Sequence, residues 1–133
     1  MVWLPHHTFR EKRMKRILVV EDEEKIRRIY SRLLREEGFE VMETSSVDVA
    51  YDMINRKKVD LVLLDIRLPE VEGNILHEML EYSNIKTNVI VASIYPVEVQ
   101  KRLIPQADDY FDKSQGLAVL MEKVKKSFLI SHK

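Results

Sequence analysis

Cysteine is absent from the 133 residues, which removes disulfides, thiolate metal sites and cysteine nucleophiles together. No apolar run approaches the length needed to span a bilayer, so no membrane insertion is expected. The opening stretch, MVWLPHHTFREKR, lacks the continuous apolar core of a secretory signal, which makes a cytoplasmic address the expectation. Neither sign of charge is in excess. Lys plus Arg is 22 and Asp plus Glu is 22, a balance that favours neither nucleic acid nor an anionic membrane surface. Internal repeats, low-complexity segments and linkers are missing as well. What remains is an ordinary globular composition, 45% hydrophobic and 33% charged, long enough to bury a core without disulfide or metal staples.

Residues 1–13 carry Pro5, His6, His7 and a basic run with no periodicity. They are expected to be a disordered N-terminal extension, a solvated arm rather than a metal or phosphate site, with one domain over 14–131. From there strand and helix patterns alternate. RILVV is a short β-rich run, and Ile26, Ile29, Leu33 and Leu34 follow at helical spacing, with Gly38 where a helix C′ residue belongs. FEVMET alternates as a strand; Ser45 and Ser46 then precede Val47, Ala50, Tyr51 and Ile54, a capped amphipathic helix. DLVLLD suits a strand buried on both sides, and a shorter helix is expected through Ile75, Leu76, Met79 and Leu80. NVIVAS and DYFD supply two further strands, and Leu117, Leu120, Met121, Val124 and Phe128 a last helix. Five such alternations predict an α/β domain with a parallel sheet covered by helices on both faces.

A buried strand that ends in a carboxylate, Asp65, is costly unless that charge is paired, coordinated or faces a cleft. In open α/β sheets the functional crevice lies beyond the carboxyl ends of the strands. The first strand ends in Glu21, Asp22 and Glu23, the third in Asp65, the fourth in Ser93 and the fifth in Lys113. Asp22 and Glu23 alone would be explained by the dipole of the first helix, but that leaves a third acid at another strand end unexplained. If the first and third strands are neighbours, the carboxylates converge, and their mutual repulsion calls for a hard cation such as Mg2+ or Mn2+. Nucleophilic carboxylate, carboxylate-held metal, hydroxyl and lysine together suit phosphoryl transfer onto an aspartate. Asp65 would attack, the metal and Lys113 would neutralise charge on the phosphoryl oxygens, and Ser93 would donate a hydrogen bond to one of them.

With ILVVEDEEKIR, VDLVLLDIRLPEVEG, VIVAS and ADDYFDK in that order, the chain resembles the receiver domain of two-component response regulators over roughly residues 15–130. The resemblance implies a doubly wound, flavodoxin-like sheet of order 2-1-3-4-5. It implies Asp65 as phosphoacceptor, Asp22 as direct Mg2+ ligand, Glu21 as its acidic neighbour and the main-chain carbonyl of Arg67 as a further ligand. Pro69 and Gly73 match the loop after the phosphorylated aspartate; Ser93 and Lys113 match the hydroxyl and the lysine; Tyr110 matches the aromatic that turns inward as the hydroxyl moves. The implied activity is that of a signalling phosphoacceptor, charged by a sensor histidine kinase or phosphotransfer protein and acting on a downstream protein, without direct nucleic-acid contact. Few residues follow Phe128, so a stand-alone receiver and one excised from a longer regulator are both open.

Three other readings stay in view. An aspartyl-nucleophile phosphatase would carry a second acid where Arg67 stands. A flavin protein would need a Gly/Ser/Thr-rich phosphate loop where EDEEK stands. A receiver-like module could bind partners without being phosphorylated. The departures from the family cluster on one side. Ile94 replaces a small residue beside Ser93, Ser114 replaces a proline after Lys113, and Gln106 replaces a glycine after Pro105. Pro96 suits a helix start and Pro105 should end that helix early, so the fourth helix is expected to be short or irregular. A homodimer is left open, on a face these substitutions alter.

Overall fold

The computed structural model describes residues 14–65, 78, 81 and 87–130. Residues 1–13, the loop positions Arg67, Pro69 and Gly73, and the helix positions Ile75, Leu76, Met79 and Leu80 lie outside the described residues. In chain order the elements are β1 (Arg16–Val20), α1 (Glu24–Glu36), β2 (Glu40–Thr44), α2 (Val47–Arg56), β3 (Leu61–Asp65), β4 (Asn88–Ser93), α3 (Val97–Leu103), β5 (Asp109–Asp112), a 3-10 turn (Lys113–Gln115) and α4 (Leu117–Ile130). The five strands form one parallel sheet in the order β2-β1-β3-β4-β5, the doubly wound arrangement expected.

Each strand splits its side chains between two cores by the two-residue alternation. Leu18, Val20, Val62, Leu64, Val89 and Val91 pack with Ala50 and Ile54 of α2 and with Ile104 beyond α3. Ile17, Val19, Leu61, Leu63, Ile90 and Phe111 pack with Tyr30 and Leu34 of α1 and with Leu120, Val124 and Phe128 of α4. Leu61, Val62, Leu63 and Leu64 are therefore all buried, although alternate ones belong to opposite cores. That explains an uninterrupted apolar run where a one-sided strand would alternate.

The helix boundaries follow local chemistry. Gly38 takes φ +97° after α1, letting its N–H and that of Phe39 return to the carbonyls of Arg35 and Leu34 at 3.0 and 3.1 Å. Ser46 caps α2, its hydroxyl accepting the Val49 N–H at 3.3 Å. The helix between β4 and β5 is short, as expected: α3 holds seven residues, with Pro96 as N-cap and Pro105 just beyond the C-cap Ile104. One helical expectation is corrected. Ile29 is 48% exposed, and Tyr30 takes its place in the core. The inward stripe of α1 runs through Tyr30, Ser31 and Leu34, so Ile29 falls on the flank. Leu117, at the first position of α4, is likewise exposed.

Candidate functional site

The strand register brings the candidate residues to one edge of the sheet. Val20 pairs with Leu64, so Glu21 and Asp65 leave the β1–β3 ladder side by side. Asp65 pairs with Ala92, one residue before Ser93, and Ser93 pairs with Asp112, one before Lys113. Alternation then sorts them. Glu21, Asp65 and Lys113 continue the series of Val19, Leu63 and Phe111, which face α1 and α4. Ser93 continues the series of Val91, on the other face.

Lys113 is the hub of the first group. Its Nζ lies 2.8 Å from Asp65 Oδ1 and 3.1 Å from Glu21 Oε1. Glu21 is 2% exposed, and its Oε2 accepts the Glu23 N–H at 3.2 Å. Asp65 Oδ1 is buried, and the Lys113 ammonium is the cation it meets. Burial, above all, and the Glu21 carboxylate push the Asp65 carboxyl up to about 7, against the downward pull of Lys113. Burial alone would lower the Lys113 ammonium; the two carboxylates outweigh it and hold the group above its ordinary range.

Asp22 completes an acidic trio with Glu21 and Asp65, one carboxylate oxygen of each lying within 4.8 Å of the others. Two buried carboxylates, Glu21 and Asp65, thus share one ammonium with the exposed Asp22 at the rim, a concentration of negative charge that favours a further cation. The donor set is all oxygen, with one carboxylate oxygen from each of three residues close together, so these residues fit a hard divalent ion such as Mg2+ or Mn2+. Arg67, the other expected ligand, lies outside the described residues.

Ser93 is fully buried at the end of β4, and its Oγ accepts the Tyr95 N–H at 3.2 Å. Ile94 beside it is 74% exposed. Tyr110 is already turned inward, and its hydroxyl donates to the carbonyl of Ile104 at the end of α3. Ser114, standing where a proline was expected, joins a capping box. Asp112 Oδ1 accepts the Ser114 N–H at 2.9 Å and its hydroxyl at 2.7 Å, while Gln115 Oε1 accepts the Asp112 N–H at 3.3 Å. This box fixes the backbone on either side of Lys113.

Two residues near the site were not singled out from the sequence. Arg27 Nη1 donates to the Glu21 carbonyl at 2.8 Å while its Nε reaches Glu43 Oε1 at 3.3 Å, tying the end of β1 to β2. A half-buried arginine within the inward stripe of α1 was the available signal. Tyr30 lies close enough to feel the charges of Lys113, Glu21 and Asp65, and burial pushes its hydroxyl up to about 12. Nothing in its sequence context distinguishes it from any core aromatic.

Comparison with known proteins agrees with this geometry. Residues 17–125 match the family model of the response regulator receiver domain. A probable transcriptional regulatory protein of Picosynechococcus sp. is 36% identical over 117 residues, covering 81% of this chain and 47% of that protein. The KDP operon transcriptional regulatory protein KdpE of Escherichia coli is 28% identical over 113 residues, covering 84% and 50%. The chain thus spans about half the length of these relatives. The crystal structure of the response regulator TrrA from Thermotoga maritima, in complex with Mg2+ and beryllofluoride, superposes with a TM-score of 0.76 at 33% identity, over 86% of this chain and 99% of that one. The signal receiver domain of a Luxo repressor protein from Vibrio parahaemolyticus gives 0.77 at 26% identity, over 90% and 96%. Sheet order, the residues gathered at the strand ends and the family match over most of the chain agree: this chain belongs to the response regulator receiver domain family.

Proposed function

We propose that the chain is a phosphoacceptor receiver in which Asp65 takes a phosphoryl group from the phosphohistidine of a sensor kinase or phosphotransfer protein. The observation that carries this reading is Asp65 itself. It is a buried carboxylate at a strand end, paired with Lys113 and gathered with Glu21 and Asp22. A carboxylate oxygen of Asp65 forms the new bond to phosphorus, the P–N bond to the donor histidine breaks, and its electron pair leaves with the imidazole nitrogen. Lys113, already 2.8 Å from the nucleophile, supplies a fixed positive charge for the phosphoryl oxygens. Ser93 turns its hydroxyl to one of those oxygens and so reports the modification to the loop beyond β4.

Glu21, Asp22 and Asp65 would hold the divalent ion, with the Arg67 carbonyl as the further ligand implied by the resemblance. When bound, Mg2+ or Mn2+ neutralises negative charge shared by the carboxylates and the phosphoryl oxygens. The related TrrA was crystallised with Mg2+ and beryllofluoride, which supports the same chemistry here. The setting is cytoplasmic, and the output passes through contact with a downstream protein, a second copy of the receiver included.

Incubation with acetyl phosphate and Mg2+, read by intact mass, tests the proposal. The expected result is a single phosphoryl adduct in wild type and none in Asp65→Asn, whose amide cannot attack phosphorus. Steady turnover of unrelated phosphoesters would mean a phosphatase, and no adduct would mean an interaction module; either overturns the reading.

A further inference from the structure

Gln100 is a glutamine on α3 with 0% exposure. Its Nε2 donates to the carbonyl of Tyr95 at 2.8 Å and to the carbonyl of Phe111 at 2.9 Å. Both partners can only accept, so the nitrogen must face them, and the orientation of the amide is settled by chemistry. Its Oε1 is left buried without a donor. A leucine would fill similar space without stranding an acceptor, so packing alone does not explain the residue.

The two carbonyls explain it better. Tyr95 lies two residues after Ser93, and its N–H is the group that Ser93 Oγ accepts. Phe111 lies in β5, the edge strand, two residues before Lys113. Tyr95 therefore holds Ser93 through its N–H and Gln100 through its carbonyl, while Gln100 holds β5. A continuous path of hydrogen bonds runs from the Ser93 hydroxyl, through Tyr95 and the planar amide of Gln100, to the strand that leads into Lys113. At its far end α3 is tied to β5 again, where the Tyr110 hydroxyl donates to Ile104.

We propose that Gln100 is a positioning residue that clips the β4–α3 loop to β5 and carries a displacement of Ser93 into α3. The proposal rests on the phosphoacceptor reading and specifies the route by which it reaches the surface. When the Ser93 hydroxyl is drawn toward a group on Asp65, Tyr95 follows. Its carbonyl shifts against the Gln100 amide while the bond to Phe111 holds. The orphaned Oε1 weakens the resting arrangement and so lowers the cost of leaving it.

The amide protons of Gln100 report the event directly. The chain has three glutamines, Gln100, Gln106 and Gln115, and Gln100→Leu identifies the relevant pair of side-chain signals by NMR. With Mg2+ and beryllofluoride added, the Gln100 pair should move more than the other two, chiefly in the proton bound to Tyr95. In Gln100→Leu the shifts at Ser93 should persist, while those across residues 97–103 fall to less than half of wild type. Stationary Gln100 signals alongside a shifting Ser93 would overturn the clip and leave the phosphoacceptor reading intact. So would undiminished shifts in α3 of the variant. No shift at any residue around Asp65 would overturn both.

Discussion

Burying Asp65 beside Glu21 with one ammonium between them makes the metal-free protein favour acid. The Asp65 carboxyl titrates at 3.8 when unperturbed and at about 7 in the fold. The folded state therefore holds the extra proton between those values, and stability falls as pH rises through them, by up to roughly 1.4 kcal/mol per pH unit. The contribution is fully present below the lower value and lost above the upper one. Urea unfolding in EDTA should show wild type losing stability relative to Asp65→Asn from about pH 4 to about pH 7, with little further change above. A difference that grows in favour of wild type with rising pH would mean that the Lys113 pair, not burial, dominates at Asp65. Ile94 bears on rate rather than stability. It is exposed beside Ser93, so truncation leaves no cavity, and a stiff β-branched side chain at that position would narrow the approach to Asp65. Ile94→Ala should shorten the half-times of both phosphorylation by acetyl phosphate and the hydrolysis that follows, because both need in-line access to phosphorus. Unchanged or slower rates would mean that the side chain does not guard the entrance.

Among the elements, α3 is the one with least of its own to stand on. Seven residues are too few for a helix to persist without tertiary support, and proline bounds it on both sides. Its end depends on the Tyr110 hydroxyl at the Ile104 carbonyl. Tyr110→Phe leaves that buried carbonyl without its donor, a loss of about 1–3 kcal/mol. Amide exchange in residues 97–104 should quicken more than in α1; uniform protection would place the support of α3 elsewhere. The end of α1 offers a contrast. A Cβ at Gly38 would meet nothing within 4 Å, so any cost of Gly38→Ala comes from the backbone alone at φ +97°. The expected loss is about 1 kcal/mol, with Gly38→Asn milder because asparagine tolerates the left-handed region better. Equal losses in thermal unfolding would point to a contact rather than to backbone strain.

At the scale of the whole molecule, the two cores share one sheet and should fail together. Leu63 and Leu64 are neighbours in β3 with side chains in opposite cores, and both are buried. Truncating either to alanine should cost about 3 kcal/mol and leave a single cooperative unfolding transition. A second transition in either variant would mean that one layer of helices folds on its own. The same shared sheet links the chemistry to the surface. Glu21, Asp65 and Lys113 sit on the α1–α4 face while Ser93, α3 and Tyr110 belong to the other, so a change at Asp65 that is to reach α3 must cross the sheet at its strand ends.

The five strands, the cap at Ser46, the turn at Gly38 and the early end of the helix before Pro105 were legible in the sequence. Periodicity, capping and proline act over a few residues and leave their mark within a short window. The candidate chemistry was legible for a related reason. Strand ends can be counted along the chain, and Asp65, Ser93 and Lys113 stand at or just beyond them. Which acid meets the lysine was not. Glu21 and Asp22 are adjacent in sequence, and only the register of β1 against β3 turns Glu21 inward to Lys113 while Asp22 stays at the rim. Rotation of α1 about its axis put Tyr30 rather than Ile29 in the core, and Gln100 became a link between a loop and a strand. Such outcomes depend on distances between segments far apart in the chain, set by packing of the whole, and no local pattern of residues encodes them.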